Sequence, residues 1–222
     1  MKIGYAELKD QSILDYKCMP KLIFLPGASG STTFWTPLIQ ALENQHPKQV
    51  IAYPGFADEP SQQSVFDFAS LSDFVLNQIQ DECILIAQSM GGIFAVQAAL
   101  ARPDLVKGLV LMATSGGIDL SRFQLQDWRT DYQHQYVNYP DWFVTTQIDL
   151  SPQFEKIELP ALLLWGNQDL ISTVAVGQAL QQKLPQAELH IIDGGDHAFA
   201  AQYAAVVAEH LKPYLLQFDS RP

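Results

Sequence analysis

Short apolar runs alternate with amphipathic segments along this chain. Their alternation predicts the α/β class, with a mostly parallel, twisted sheet that carries helices on both faces. Continuous apolar runs are typical of strands buried on both faces of a sheet, and they cover residues 21–25, 49–53, 83–86, 106–113, 161–165 and 188–192. The segments expected to be helical are residues 34–44, 66–79, 92–100, 174–183 and 198–216. Residues 1–18 are expected to form one or two antiparallel edge strands.

One segment interrupts this alternation. Residues 116–151 lie between two predicted strands and exceed the length of an ordinary connection. We expect them to be a small helical cap over the carboxyl edge of the sheet, inserted into a single domain of residues 1–222. The alternative is an additional pair of surface helices that buries its own aromatic rings. Those rings belong to Phe123, Trp128, Tyr132, Tyr136, Tyr139, Trp142 and Phe143.

Composition narrows the range of partners. The formal net charge of −11 argues against nucleic acid and against an anionic membrane surface. The sequence has no signal-peptide pattern and no apolar run approaching the ~18 residues of a spanning helix, so a cytoplasmic protein is expected.

Cys18 and Cys83 both lie in apparent strands, which favours buried, reduced thiols. The sequence contains no metal-ligand or cofactor-binding motif, so neither a metal nor a cofactor is expected. No pattern in the sequence indicates the oligomeric state.

The most specific pattern is the pentapeptide at residues 87–91, Ala-Gln-Ser-Met-Gly. It places Ser89 between a buried strand and an apolar helix, which is the form of a nucleophile elbow. Serine is also a common residue at helix starts, which is the structural alternative. A serine hydroxyl is a weak nucleophile, so the chemistry needs a base and an acid that orients the base.

Two later loops supply these groups. Asp169 follows the strand at 161–165, and His197 follows the strand at 188–192. Loops that follow parallel strands emerge at one edge of the sheet, so these side chains are expected to meet Ser89 there. Asp193 and Asp196 are the rival candidates for the acid.

Acyl transfer also needs backbone N–H groups directed at the developing oxyanion. The loop at residues 26–31 is rich in small residues, and we expect its Ala28 N–H to be one donor. The second expected donor is the N–H of Met90, at the start of the helix after Ser89.

The substrate pocket is the least determined part of the site. Its expected lining residues are Trp35, Phe123, Trp128, Tyr132 and Trp142, of which Trp35 is equally a candidate for the core. His134 lies in the cap segment and is a weaker candidate for substrate contact. The remaining histidines, His46, His190 and His210, are expected mostly at the surface.

Four motifs in order resemble the α/β-hydrolase superfamily, and they cover nearly the whole chain. They are the oxyanion loop at 26–31 with Trp35, the Tyr-Pro-Gly-Phe stretch at 53–56, the acid-bearing Trp-Gly-Asn-Gln-Asp at 165–169 and the Gly-Asp-His at 195–197. The small size and brief cap resemble the branch of pimeloyl-ACP methyl ester esterases and SHCHC synthases. The resemblance implies a Ser89–His197–Asp169 triad.

The chain departs from the family pattern at two positions. Ala87 stands where the elbow usually has glycine, and the added methyl must be accommodated beside the following helix. Pro26 stands where the family usually has a histidine that supports the oxyanion loop. The second departure bears on the rigidity of the loop more than on the reacting groups.

The sequence thus predicts a serine hydrolase that cleaves a small carboxylic ester or thioester through an acyl-enzyme. The aromatic cap favours an apolar acyl or aryl group. Two alternatives remain open. One is a lyase similar to SHCHC synthase, which would use the same triad for proton abstraction and would need arginines near the pocket. The other is a ligand receptor on the same fold that turns over slowly or not at all.

Overall fold

Six parallel strands form one sheet in the computed structural model, which describes residues 19–219. The strands are β1 (Lys21–Leu25), β2 (Lys48–Val50), β3 (Cys83–Gln88), β4 (Val106–Met112), β5 (Ala161–Gly166) and β6 (Ala187–Ile192). Their order across the sheet is β2-β1-β3-β4-β5-β6. The predicted parallel sheet is confirmed, whereas the expected edge strands in residues 1–18, together with Cys18, lie outside the described residues.

Helices cover both faces of this sheet, and two further helices lie in the segment 116–151. They are α1 (Thr36–Ala41), α2 (Phe68–Asn77), α3 (Met90–Ala101), α4 (Arg129–Gln135), α5 (Trp142–Thr145), α6 (Val174–Lys183), α7 (Phe199–Gln202) and α8 (Ala204–Asp219). Two 3-10 turns occupy Thr32–Trp35 and Ser151–Lys156. No helix within residues 19–219 combines the length and apolar character needed to cross a membrane.

The apolar runs divide into two hydrophobic clusters because successive side chains of a strand point to opposite faces. Leu85 and Leu109 belong to the cluster that packs against α2, α3 and α6. Ile84 and Val110 belong to the cluster that packs against α1, α7 and α8. The central strands are therefore apolar at consecutive positions, which is the reason that their sequences show no alternation.

Several elements differ from their predicted bounds. Helix α2 begins at Phe68 because Asp67 and Ser70 form a reciprocal capping box. Strand β2 ends at Val50, and beyond it the N–H of Ile51 still donates to Phe24 O. The predicted helix 198–216 is broken at Tyr203, whose hydroxyl donates to Gly194 O at 3.3 Å.

Cys83 and His46 are two of the buried side chains that lie outside the expected site. Cys83 is buried in β3, and its burial raises the pKa of the thiol to about 12. His46 is also buried, which corrects the expectation of a surface position. Its Nδ1 lies 2.7 Å from Pro20 O and its Nε2 lies 2.9 Å from an Asp219 carboxylate oxygen, so both ring nitrogens have partners.

The first turn of α3 packs directly against the backbone that follows β1. A Cβ atom on Gly91 would lie 2.4 Å from Leu25 O and 2.6 Å from Pro26 O. Because both atoms belong to the backbone, neither can rotate away. The absence of a side chain at residue 91 is therefore what brings the start of α3 beside the loop at 26–31.

We expect Gly91→Ala to lower the free energy of unfolding by about 1–3 kcal/mol, because the added methyl group forces these two backbones apart. Urea denaturation of the variant and the wild type measures the difference. Equal stabilities would show that the two segments separate without cost.

Candidate active site

Ser89 occupies a sharp turn between β3 and α3. Its backbone has φ 52° and ψ −122°, a left-handed conformation that is uncommon for a residue with a side chain. The Ser89 N–H donates to Met112 O at 3.0 Å, and the Thr114 hydroxyl donates to Ser89 O. Neighbouring groups therefore hold the turn from both sides.

The alanine that replaces the usual glycine of the elbow is accommodated within β3. Ala87 is fully buried and lies in register with Leu25 on β1 and Leu111 on β4. Its methyl group is part of the hydrophobic cluster on the side of α3. The departure at this position is thus a matter of core packing.

The structure brings Ser89, His197 and Asp169 into one chain of hydrogen bonds. His197 Nε2 lies 3.1 Å from Ser89 Oγ, and His197 Nδ1 lies 2.8 Å from Asp169 Oδ2. The His197 side chain is one-quarter exposed, whereas the Asp169 side chain is completely buried. A base is thereby placed between a serine hydroxyl and a shielded carboxylate.

Asp169 is fixed by its own loop. Its Oδ1 accepts hydrogen bonds from the N–H groups of Ile171 at 2.8 Å and Ser172 at 2.9 Å, which leaves Oδ2 for His197. The rival carboxylates are occupied elsewhere. Asp193 accepts from Asn167 Nδ2, and Asp196 accepts from the N–H of Ala198.

Gln88 is a further site residue, to which the sequence analysis assigned no role. The side chain is buried, and its Nε2 donates to His197 O at 3.1 Å. The residue before the serine therefore holds the backbone of the residue that faces the serine. The sequence indicated this role of Gln88 only through its position in the elbow, because the hydrogen bond joins residues 109 positions apart.

The two expected oxyanion donors lie in the segments that flank Ser89. A Cβ atom on Gly27 would lie 3.1 Å from Ser89 Cβ, so the loop that carries Ala28 passes beside the serine. Met90 is the first residue of α3. Within residues 19–219, neither the Ala28 N–H nor the Met90 N–H donates to another protein group, so both are available to a ligand.

The cap segment packs onto the body of the protein through aromatic rings. Phe56, in the loop after β2, contacts Trp142 and Phe143 with ring centroids 5.9 and 6.5 Å apart. Phe68 at the start of α2 also contacts Trp142, at 6.2 Å. Trp128 stacks on Phe143 at 5.5 Å with nearly parallel planes. The contacts of Phe56 and Phe68 link residues 116–151 to the carboxyl side of the sheet, and the Trp128–Phe143 stack lies within that segment.

Backbone atoms at the site also contact the cap. The Tyr132 hydroxyl donates to Ala28 O at 3.1 Å. The Gln126 N–H donates to Leu170 O at 2.8 Å, next to Asp169. Residues 116–151 are therefore joined both to the loop that carries Ala28 and to the loop that carries Asp169.

The expected pocket residues separate into two groups. Tyr132, Trp128, Trp142 and Phe123 all pack with the hydrophobic cluster on the side of α2, α3 and α6. Phe123 is half-buried beneath the Arg122 guanidinium. Trp35 is instead fully buried against Phe24 in the cluster with α1 and α8, on the other face of the sheet. This corrects its expected place in the pocket, because the 3-10 turn directs its ring into the core.

Other candidate groups do not join the site. His134 is exposed on α4, and no contact in the described chain links it to Ser89 or His197. Among residues 19–219, no cluster of three or more histidine, cysteine or acidic side chains has the arrangement of a metal site.

Comparison with known proteins identifies the family. A family model described as the alpha/beta hydrolase fold matches residues 20–143 and 119–201, and the chain belongs to this family. The resemblance seen in the four sequence motifs is thereby confirmed, as is the predicted fold.

Similar proteins include hydrolases and esterases. The uncharacterized hydrolase YugF of Bacillus subtilis is 22% identical over 87% of this chain and 89% of its own length. A pimeloyl-[acyl-carrier protein] methyl ester esterase of Neisseria meningitidis is 23% identical over 86% of this chain and 77% of its own. The structure of a thermophilic esterase from Thermogutta terrifontis superposes with a TM-score of 0.74 at 16% identity, covering 90% of this chain and 91% of that one.

We expect Asp169→Ala to be less stable than Asp169→Asn by about 1–3 kcal/mol. Alanine leaves the N–H groups of Ile171 and Ser172 without their acceptor, whereas the asparagine carbonyl keeps it. Urea denaturation of both variants and the wild type gives the comparison. Equal stabilities would mean that the loop does not depend on this acceptor.

Proposed function

We propose that this α/β hydrolase cleaves a carboxylic ester or thioester with an apolar acyl or aryl group through an acyl-enzyme. The observation that carries the proposal is the hydrogen-bond chain from Asp169 through His197 to Ser89. In this proposal residues 116–151 are the cap of a single domain, and they determine which substrates reach Ser89.

The first half of the reaction forms the acyl-enzyme. Ser89 Oγ transfers its proton to His197 Nε2 and attacks the carbonyl carbon of the substrate. The N–H groups of Ala28 and Met90 bind the resulting oxyanion. When the tetrahedral intermediate collapses, the bond to the leaving group breaks, and His197 donates its proton to the departing alkoxide or thiolate.

The second half releases the acid. His197 Nε2 accepts a proton from a water molecule, and the hydroxide attacks the acyl-serine carbonyl. The collapse of this second intermediate returns the proton from His197 to Ser89 Oγ. Throughout both halves Asp169 holds the Nδ1–H tautomer of His197 and stabilises its charged form, for which its buried Oδ2 is well placed.

The surroundings of the site support an apolar substrate. The cap contributes aromatic rings, and its two arginines are exposed. Arg122 lies over Phe123, and Arg129 lies over Trp128 and pairs with Asp127. These positions do not favour the lyase alternative, which needs arginines facing the triad. The similarity to an esterase whose name specifies a methyl ester agrees with a carboxylic ester as the substrate.

A fluorophosphonate probe tests the nucleophile. We expect the wild type to acquire one covalent adduct on Ser89 and to hydrolyse p-nitrophenyl butanoate, and Ser89→Ala to lose both activities, with turnover at least ~10³-fold lower. Ser64→Ala, at an exposed loop position, is the matched control and should behave as the wild type. Peptide mapping by mass spectrometry locates the adduct.

Each alternative gives a different result in this experiment. A lyase would turn over its substrate without a trappable acyl-serine, and a receptor would bind ligands without turnover. Folded wild-type protein that neither reacts with the probe nor hydrolyses the ester would overturn the proposal.

A series of acyl chain lengths tests the apolar pocket. We expect kcat/KM for p-nitrophenyl esters to rise from acetyl to hexanoyl by up to about threefold to fourfold per methylene. This factor corresponds to a gain of about 0.8 kcal/mol for each methylene group that is buried. Trp142→Ala should flatten this gradient, because the Trp142 ring is one of the aromatic rings of residues 116–151 that pack on the hydrophobic cluster.

Phe66→Ala is the control for that series, because Phe66 is a large apolar residue that is 71% exposed. Its gradient should match the wild type. A flat gradient in the wild type, or equal flattening in both variants, would contradict an acyl pocket beneath the cap.

A further inference from the structure

Three consecutive carbonyl groups of the oxyanion loop each accept a hydrogen bond. Pro26 O accepts from the Tyr53 hydroxyl at 3.0 Å, Gly27 O from the Gly30 N–H at 3.0 Å and Ala28 O from the Tyr132 hydroxyl at 3.1 Å. The peptide units on both sides of the Ala28 N–H are therefore held. The planar unit that contains the Ala28 N–H has Gly27 O as its carbonyl oxygen, so the bond from Gly30 fixes the direction of the Ala28 N–H. The bonds from Tyr53 and Tyr132 hold the peptide units immediately before and after it.

The three donors come from different parts of the molecule. Gly30 belongs to the loop itself, and Tyr53 is fully buried in the body of the protein after β2. Tyr132 lies on α4 in the cap, more than 100 residues along the chain from its acceptor. One of the three supports of the loop therefore depends on the position of the cap.

Packing within the cap fixes the Tyr132 hydroxyl. The Phe143 ring meets the Tyr132 ring edge-on at 4.8 Å, and Trp128 contacts it at 6.1 Å. Tyr132 is only 7% exposed. Burial raises the pKa of Tyr132 well above its ordinary value, so the hydroxyl keeps the proton that it donates.

We propose that Tyr132 is a positioning residue that couples the cap to the oxyanion site: its bond to Ala28 O holds the peptide unit after Ala28 and so restrains the backbone rotation at Ala28 that would turn the Ala28 N–H away from the oxyanion. This inference rests on the proposed serine hydrolase function. In that reaction the Ala28 N–H interacts most strongly with the tetrahedral intermediate. Loss of the bond should consequently affect the chemical step more than the binding of substrate.

The test compares Tyr132→Phe with Tyr136→Phe. Both changes remove one hydroxyl from neighbouring cap rings, which lie 4.8 Å apart. The Tyr136 hydroxyl makes no hydrogen bond to any group within residues 19–219, so it is the matched control. The substrate is p-nitrophenyl butanoate, and the analogue is an alkyl trifluoromethyl ketone, which forms a tetrahedral oxyanion adduct with a catalytic serine.

We expect Tyr132→Phe to lower kcat about tenfold to a hundredfold, less than the roughly 10²–10³ lost when an oxyanion donor is removed outright. KM should stay within about twofold of the wild type, as for an interaction made only in the transition state. The inhibition constant of the trifluoromethyl ketone should rise by the same factor as kcat falls. Tyr136→Phe should match the wild type in all three constants.

The remaining outcomes each count against the inference. Unchanged kcat and inhibition constant in Tyr132→Phe would overturn it while leaving the hydrolase proposal intact. Equal losses in both variants, with lowered melting temperatures, would assign Tyr132 to cap packing instead. A wild type that lacks both ester hydrolysis and fluorophosphonate labelling would overturn the hydrolase proposal first, and this inference with it.

Discussion

The left-handed backbone of Ser89 is the constraint on which the rest of the site depends. A residue with a side chain in this conformation costs of order 1–3 kcal/mol, so the surroundings must hold it. They do so through Met112 O and the Thr114 hydroxyl, and through the close packing of Gly91 on the backbone after β1. The same packing that holds the turn also brings the loop at residues 26–31 beside Ser89, so the proposed nucleophile and the proposed oxyanion loop are positioned together.

The parallel sheet places the loops that carry Asp169 and His197 at the same edge as Ser89. Because every strand runs in the same direction, the loops after β1, β3, β5 and β6 all emerge at one edge. Residues 108 positions apart, such as Ser89 and His197, can then lie within hydrogen-bond distance. Gln88 adds a direct bond between the elbow and the backbone of His197, so the distance between serine and histidine does not depend on the two loops alone.

The sequence was sufficient for the features that local patterns determine. Continuous apolar runs predicted the strands, and small residues beside Ser89 predicted the turn. Features that depend on tertiary partners were not predictable in this way. Nothing near Trp35 distinguished core from pocket, and nothing near His46 indicated its bonds to Pro20 O and to Asp219. The break at Tyr203 accompanies a bond from its hydroxyl to Gly194 O, which no local pattern indicated. The aromatic content of residues 116–151 suggested a cap, but no periodicity indicated which hydroxyl would reach Ala28.

Long-range hydrogen bonds between residues 116–151 and the rest of the described chain also bear on how the substrate range could change under the proposed function. Gln126 to Leu170 and Tyr132 to Ala28 join the first part of the cap to the body. Exposed positions beyond them, such as Val137, have no part in either bond. Under the proposed function, variation in that outer part of residues 116–151 would alter the shape presented to incoming molecules while Ser89, His197 and Asp169 keep their places. A cap transplanted from a relative would preserve this separation only if it also carried a hydroxyl to the Ala28 carbonyl.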